Sequence, residues 1–178
     1  MERIVAARGW IVTAAGLGIN LALGVLYSWS VIAKTLSKPV ADGGWGWTSG
    51  QASLPYAIGV GVFAVSMVFA GRAQDRLGPR LVATIGGALC GLGLIVASLA
   101  TPENTLPIVV GFGMMTGLGI GLGYAAATPA AVKWFPPARK GLITGIVVAG
   151  FGLASVYIAP LTTWLLSTQQ VAGTFRVL

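Results

Sequence analysis

Five long stretches of this chain contain no charged residue, and they limit what it can fold into. The stretches are residues 9–33, 43–71, 81–102, 104–132 and 141–175. Because an α-helix rises about 1.5 Å per residue, roughly 20 apolar residues are enough to cross about 30 Å of hydrocarbon. The pattern therefore predicts an all-α membrane protein with five transmembrane helices, at about 10–33, 51–70, 81–100, 106–132 and 141–166.

The composition agrees with a membrane location and argues against several other classes. Only 8% of the residues are charged, where a soluble domain carries about a quarter, and the mean hydropathy is +0.86. The chain has no histidine and one cysteine, Cys90, so we expect no metal site, no cofactor and no disulfide within the chain. All four acidic residues lie outside the uncharged stretches, so acid–base catalysis at membrane depth is not expected and the protein is not predicted to be an enzyme. The net charge of +7 is scattered between apolar stretches, which does not indicate a nucleic-acid partner.

The distribution of basic residues predicts an orientation. If the five helices alternate in direction, eight basic residues fall on the side of the N-terminus: Arg3, Arg8, Arg72, Arg76, Arg80, Lys133, Arg139 and Lys140. Two fall on the opposite side, Lys34 and Lys38. Because basic loops stay in the cytoplasm, we predict a cytoplasmic N-terminus. The first uncharged stretch is longer than the apolar region of a secretory signal, so it is expected to be a permanent span.

The segment between the second and third stretches carries three arginines and one aspartate, and we predict a cytoplasmic loop there. Gly71, Asp75, Arg76, Gly78 and Arg80 resemble the G-x-x-x-D-R-x-G-R/K-R/K signature of major facilitator superfamily transporters. The sequence departs from that signature at the position after Gly78, where it has proline instead of a basic residue. The resemblance implies that Asp75 and Arg76 hold the cytoplasmic ends of two halves together in one state and release them in another. Simple anchoring by positive charge is the alternative.

The fourth stretch is the richest in glycine. Gly113, Gly117 and Gly121 recur every four residues, so they share one face of a helix. Small residues at this spacing let membrane helices approach closely, and we predict a packing role in preference to substrate contact. The sequence contains no G-x-G-x-x-G, which argues against a nucleotide-binding loop.

Four longer segments resemble the oxalate/formate antiporter family of the same superfamily. They are LGVLYSWS at 23–30, GLGIGLGY at 117–124 with the following proline at 129, KWFPPARKG at 133–141 and GIVVAGFGLASVYIAPL at 145–161. The resemblance implies a bacterial inner-membrane protein with twelve helices in two six-helix halves. Such a protein exchanges small carboxylates by alternating access about a central site. This chain would be the N-terminal bundle, truncated at the sixth helix, and the C-terminal bundle would be its missing partner.

The resemblance also suggests substrate-binding residues. Tyr27 and Tyr124 match aromatic positions that line the family's carboxylate site, and Tyr157 is similar. Asn20 and Gln51 are polar residues of the predicted spans and could donate hydrogen bonds to a substrate. The alternatives are packing or interfacial tyrosines, and hydrogen bonding between helices. No lysine or arginine lies inside a predicted span, so the charge that balances a carboxylate is expected from the second half.

Two other functions remain open. One is a proton-coupled monocarboxylate carrier of the same superfamily, although no acidic residue lies inside a predicted span here. The other is a non-transporting membrane remnant whose glycine faces only bind other helices. No Walker motif occurs, so transport driven by ATP is not expected.

Overall fold

The computed structural model describes residues 2–178, with side chains from residue 7 onward, and within that range the chain is helical without any strand. Five helical spans are long and apolar enough to cross a membrane: Ala7–Leu36, Ser49–Leu77, Pro79–Ala97, Leu106–Val132 and Pro137–Val177. The predicted fold class, an all-α membrane protein with five spans, is therefore confirmed.

Three of the spans are not uniform α-helices. The first contains α1 (Glu2–Leu23), a 3₁₀ segment (Gly24–Ser28) and α2 (Trp29–Leu36). The second and third are α3 (Ser49–Leu77) and α4 (Pro79–Ala97). The fourth contains α5 (Leu106–Ile108), a π-helical segment (Val109–Thr116) and α6 (Gly117–Val132). The fifth begins with a 3₁₀ turn (Pro137–Arg139) and continues as α7 (Lys140–Val177). Another short 3₁₀ turn, Val40–Asp42, lies between the first and second spans.

The bundle has two ends, which we name by their connecting segments. The signature end carries residues 71–80 and 133–139, and the loop end carries residues 37–48 and 98–105. At the loop end, the indole rings of Trp45 and Trp47 pack edge to face, and both backbone N–H groups donate to the Leu36 carbonyl. The segment after the first span is therefore folded back against the bundle.

The prediction of a loop at residues 71–80 was wrong. Helix α3 continues through Asp75 and Arg76 to Leu77, and α4 begins at Pro79, so only Gly78 separates the two helices. Gly78 has φ 85°, a conformation that favours glycine, and proline suits the first turn of a helix because its missing N–H is not needed there. The charged residues indicated a loop, but arginine and glutamine are good helix formers, and a helix can continue into water after it leaves the bilayer.

The fifth helix extends beyond the predicted end near residue 166. It contains one non-helical residue, Gln170, with φ 58° and ψ −171°. After this reversal the chain returns to the bundle, where Phe175 packs against Phe112 with ring centroids 6.1 Å apart. The Nε of Arg176 also donates to the Ser98 hydroxyl over 3.4 Å.

Glycines bring α6 close to two neighbouring helices. A Cβ added at Gly117 would lie 2.6 Å from the Gly59 carbonyl oxygen of α3. A Cβ added at Gly121 would collide with Ser66, which also belongs to α3. On the adjoining face, a Cβ at Gly119 would lie 2.5 Å from the Gly86 carbonyl oxygen of α4. Backbone contacts backbone at these crossings, so the helices that present the site are held in close register.

Candidate functional site

Four aromatic rings from four different spans meet inside the bundle. They belong to Tyr27 of the 3₁₀ segment, Phe63 of α3, Tyr124 of α6 and Phe151 of α7. The ring centroids are 5.3 Å apart for Tyr27 and Phe151, 5.8 Å for Phe63 and Tyr124, 5.4 Å for Tyr124 and Phe151 and 6.2 Å for Phe63 and Phe151. All four side chains are half-buried, so this four-ring cluster forms an accessible wall and not a sealed core.

The position of Tyr27 depends on how α1 ends. Gly24, the first residue of the 3₁₀ segment, lies directly against Ala154, and a side chain there would collide with that alanine. The hydroxyl of Tyr157 donates to the Leu21 carbonyl over 2.8 Å. Leu21 lies in the last turn of α1, where carbonyls lose their partners within the helix. The 3₁₀ segment has about 3.0 residues per turn instead of about 3.6, which changes the direction in which Tyr27 projects.

The position of Tyr124 depends on the glycines beside it. Gly121 lets α6 pack directly on Ser66 and on the Phe63 carbonyl of α3. Gly123 leaves room for the side chain of Leu23 at the end of α1. The ring of Tyr124 is therefore held between Phe63 and Phe151, which it meets edge to face.

The cluster combines apolar walls with two phenol hydroxyls. Aromatic ring edges carry partial positive charge, and a phenol can donate one hydrogen bond. All four rings come from uncharged stretches of the sequence. The cluster can therefore orient a small polar solute, but a bound anion needs a balancing charge from elsewhere.

The structure places the other predicted substrate-binding residues apart from these rings. Asn20 is fully buried, and its Nδ2 donates to the Val147 carbonyl over 2.8 Å. Its Oδ1 has no hydrogen-bond partner among the described residues. Gln51 lies at the loop end, where it forms a capping box with Thr48 at the start of α3. Of the five candidates, the structure brings only Tyr27 and Tyr124 into one cluster, and both meet Phe151.

The signature residues lie at the opposite end from the loop, on the last turns of α3 and the start of α4. Gly71 is half-buried within α3, whereas Asp75, Arg76 and Arg80 are exposed. An Oδ1 of Asp75 lies 3.9 Å from the Nζ of Lys133, and both side chains are 67% exposed. This ion pair joins α3 to the C-terminal end of α6. Arg3 is one of the eight basic residues predicted to lie on the cytoplasmic side, and its side chain is outside the described part of the chain.

Sequence reasoning missed Phe63 and Phe151, because a phenylalanine in an apolar span carries no signal that separates a site from packing. Trp29 has a structural role as well, in the contact between the first two spans. The structure buries that indole, whose Nε1 donates to the Ala52 carbonyl over 2.8 Å and ties α2 to α3. The sequence signal for this role is the set of polar residues around Trp29, because a buried indole N–H usually forms a hydrogen bond.

Most of the chain is similar to known membrane transporters. The family described as Major Facilitator Superfamily matches residues 9–177. An uncharacterized MFS-type transporter, YhjX, of Escherichia coli is 32% identical over 172 residues, which cover 94% of this chain and 40% of the relative. The oxalate:formate antiporter of Oxalobacter formigenes is 28% identical, covering 85% of this chain and 34% of the relative. Monocarboxylate transporter 13 of Rattus norvegicus is 29% identical, with 93% and 37% covered. The chain thus spans two fifths or less of the length of these relatives.

Proposed function

Because this chain belongs to the major facilitator superfamily, we propose that it is the N-terminal portion of a secondary carrier that exchanges small carboxylates by alternating access. The exchange would be of the oxalate/formate type, driven by the substrate gradients. The four-ring cluster is the observation that carries this proposal, because it brings Tyr27 and Tyr124 from distant parts of the sequence to one accessible wall.

In this proposal the two tyrosines donate hydrogen bonds to the carboxylate, and Phe63 and Phe151 provide the flat apolar wall. Hydrogen bonds to a charged acceptor contribute about 1.5–3 kcal/mol each, which is enough to orient a substrate of a few atoms. The balancing positive charge comes from the remainder of a longer protein. The length of the relatives supports this arrangement, since each is at least twice as long as this chain.

We also propose that the signature end faces the cytoplasm of a bacterial cell and that the loop end faces outward across the inner membrane. Support comes from the basic residues at the signature end: Arg72, Arg76, Arg80, Lys133, Arg139 and Lys140. In this orientation Asp75 lies at the cytoplasmic end of α3, where it can act in the lock between the two halves.

Exchange in proteoliposomes tests the function. The complete gene product that contains this chain is expected to take up labelled oxalate when the vesicles contain formate or oxalate, whereas residues 1–178 alone are expected to be inactive. Tyr27→Phe and Tyr124→Phe should each raise KM about tenfold, because each removes one charge-assisted hydrogen bond. Phe63→Leu should also raise KM, and Phe69→Leu is its control because Phe69 lies on the same helix with 63% of its surface exposed. Normal KM values in both tyrosine variants would contradict the assignment of the site.

A proton-coupled monocarboxylate carrier is the second candidate, and the similarity to monocarboxylate transporter 13 favours it. An exchanger needs a carboxylate on both sides of the membrane, whereas a symporter accumulates substrate in empty vesicles when a pH gradient is imposed. Uptake that requires carboxylate inside the vesicles and does not depend on the pH gradient would exclude the symporter. If the complete gene product moves no carboxylate, the third alternative, a non-transporting membrane remnant, is favoured.

A further inference from the structure

A cavity lies between the first and second spans at the loop end. Its volume is ≈ 430 Å³, and it is lined by Leu26, Tyr27, Trp29, Ser30, Ala33, Ala52, Ser53, Tyr56 and Ala57. We call it the outer crevice. Tyr27 is one of its lining residues and also belongs to the four-ring cluster, so the outer crevice adjoins the candidate site.

Lys34 lies one helical turn beyond Ser30, toward the loop end, and is not itself a lining residue of the outer crevice. Tyr27, Ser30 and Lys34 are spaced by three and four residues, and α2 begins at Trp29, so Lys34 shares the helix face of Ser30. A long side chain on a helix points back over the preceding turn, so the Lys34 ammonium group can reach toward Ser30, which lines the crevice. Lys34 is exposed, and it forms no ion pair within the part of the chain whose side chains are described.

The hydroxyl groups in the outer crevice divide into two kinds. Ser30 donates to the Tyr27 carbonyl over 3.2 Å and Ser53 donates to the Ser49 carbonyl over 2.7 Å, so both serines present oxygen lone pairs to the cavity. The hydroxyls of Tyr27 and Tyr56 make no such bond among the described residues. A carboxylate in the crevice therefore has two phenols as donors, and the Lys34 ammonium group belongs to the next helical turn toward the loop end.

We propose that the outer crevice is a transit site for the carboxylate, in which Lys34 attracts the anion from the loop end and passes it inward to Tyr27. This inference rests on the proposed carboxylate transport. The site is open and carries one exposed charge, so it raises the local concentration of the anion and does not hold it tightly.

A simpler role for Lys34 must be separated from this one. A basic residue in the last turn of a helix is stabilised by the free carbonyls there, whether or not a ligand is present. That role predicts an effect on stability and none on KM. Lys34→Gln tests both at once, and Lys34→Arg keeps the charge.

Lys38 provides the matched control. It lies only four residues away on the same side of the membrane, but beyond the end of α2. Its carbonyl accepts from Gly46, and its backbone and Cβ pack against Gly44, so it belongs to the folded segment of the loop end and not to the crevice. Lys38→Gln removes the same charge from the same end without affecting the cavity.

The experiment measures exchange by the complete gene product from each side of the membrane at low ionic strength. Lys34→Gln should raise KM about three- to tenfold for substrate offered at the loop end, with kcat changed less than twofold and KM at the signature end unchanged. The effect should disappear near 1 M salt, where the Debye length is about 3 Å. Lys38→Gln and Lys34→Arg should resemble the wild type, and Tyr56→Phe should raise KM on the loop-end side about two- to threefold.

Equal KM values for Lys34→Gln and wild type, or equal changes in Lys34→Gln and Lys38→Gln, would overturn the transit site while leaving carboxylate exchange intact. If Lys34→Gln does not insert into the membrane, an unchanged KM in Tyr56→Phe would overturn the site in the same way. Failure of the wild type to exchange carboxylates would overturn the proposed function and this inference together.

Discussion

Tyr157 illustrates how a residue predicted to contact substrate can act on the backbone instead. Its hydroxyl satisfies the Leu21 carbonyl in the turn before Tyr27 changes direction. We expect Tyr157→Phe to destabilise the protein by about 1 kcal/mol, because it removes the hydrogen bond to the Leu21 carbonyl. Unfolding in detergent measures the stability. Tyr56→Phe is the control, since that hydroxyl makes no hydrogen bond within the described residues, and equal stability of the two variants would contradict the role.

Asp75 has a partner, but the pair is weak in energy. At 3.9 Å and with both groups well exposed, its interaction with Lys133 contributes about 1 kcal/mol or less. We therefore expect Asp75→Asn to leave stability nearly unchanged and to slow exchange more than it weakens substrate affinity. Lys133→Gln removes the same pair. If it slows exchange as much as Asp75→Asn does, the pair itself explains the effect and a lock between two halves is not needed; unchanged turnover in Asp75→Asn also argues against the lock.

The helix contacts give a sharp comparison between two adjacent glycines of α4. A Cβ at Gly86 would lie 2.7 Å from the Gly119 carbonyl oxygen and from the Gly123 nitrogen, whereas a Cβ at Gly87 would meet nothing within 4 Å. We expect Gly86→Ala to destabilise the bundle by about 1–3 kcal/mol through overpacking, and Gly87→Ala to have little effect. Thermal unfolding in detergent compares them, and equal melting temperatures would show that this crossing is not tightly packed.

The spans could be predicted from the sequence because a stretch without charge is a direct consequence of the bilayer as solvent. The ends of α3 and α7 could not, since hydrophobicity reports only the part of a helix inside the hydrocarbon. The 3₁₀ segment at Gly24–Ser28 depends on contacts with Ala154 and Tyr157, more than 100 residues away in the sequence. Periodicity within one span cannot report such contacts.

The candidate site was predicted only in part for the same reason. Tyr27 and Tyr124 carry a family resemblance and a polar group, and the structure brings both to one wall. Phe63 and Phe151 complete the wall, but their position follows from helix crossings that a single sequence does not specify. Asn20 and Gln51 were selected as polar residues in or near apolar spans, and their amides bond to the protein itself.

For the molecule as a whole, the orientation gives the most direct test. Arg76→Cys and Lys133→Cys should resist a membrane-impermeant maleimide in intact cells and react after the membrane is permeabilised. Lys38→Cys should react in intact cells, because it lies at the loop end. Cys90 is buried, so the natural cysteine adds little background. Labelling of Arg76→Cys in intact cells would reverse the proposed topology.

The close crossings group the spans into two bodies, which are themselves joined by the Trp29 hydrogen bond to Ala52 and by Leu23 packed against Gly123. The first span is attached to the fifth by three contacts: Asn20 with Val147, Gly24 with Ala154, and Tyr157 with Leu21. Glycine contacts fasten the fourth span to the second and third. Tyr27 and Phe151 belong to the first body, whereas Phe63 and Tyr124 belong to the second. The four rings therefore lie at the boundary between the two bodies. Any sliding of one body against the other would alter how the rings stack, so their stacking would report that motion.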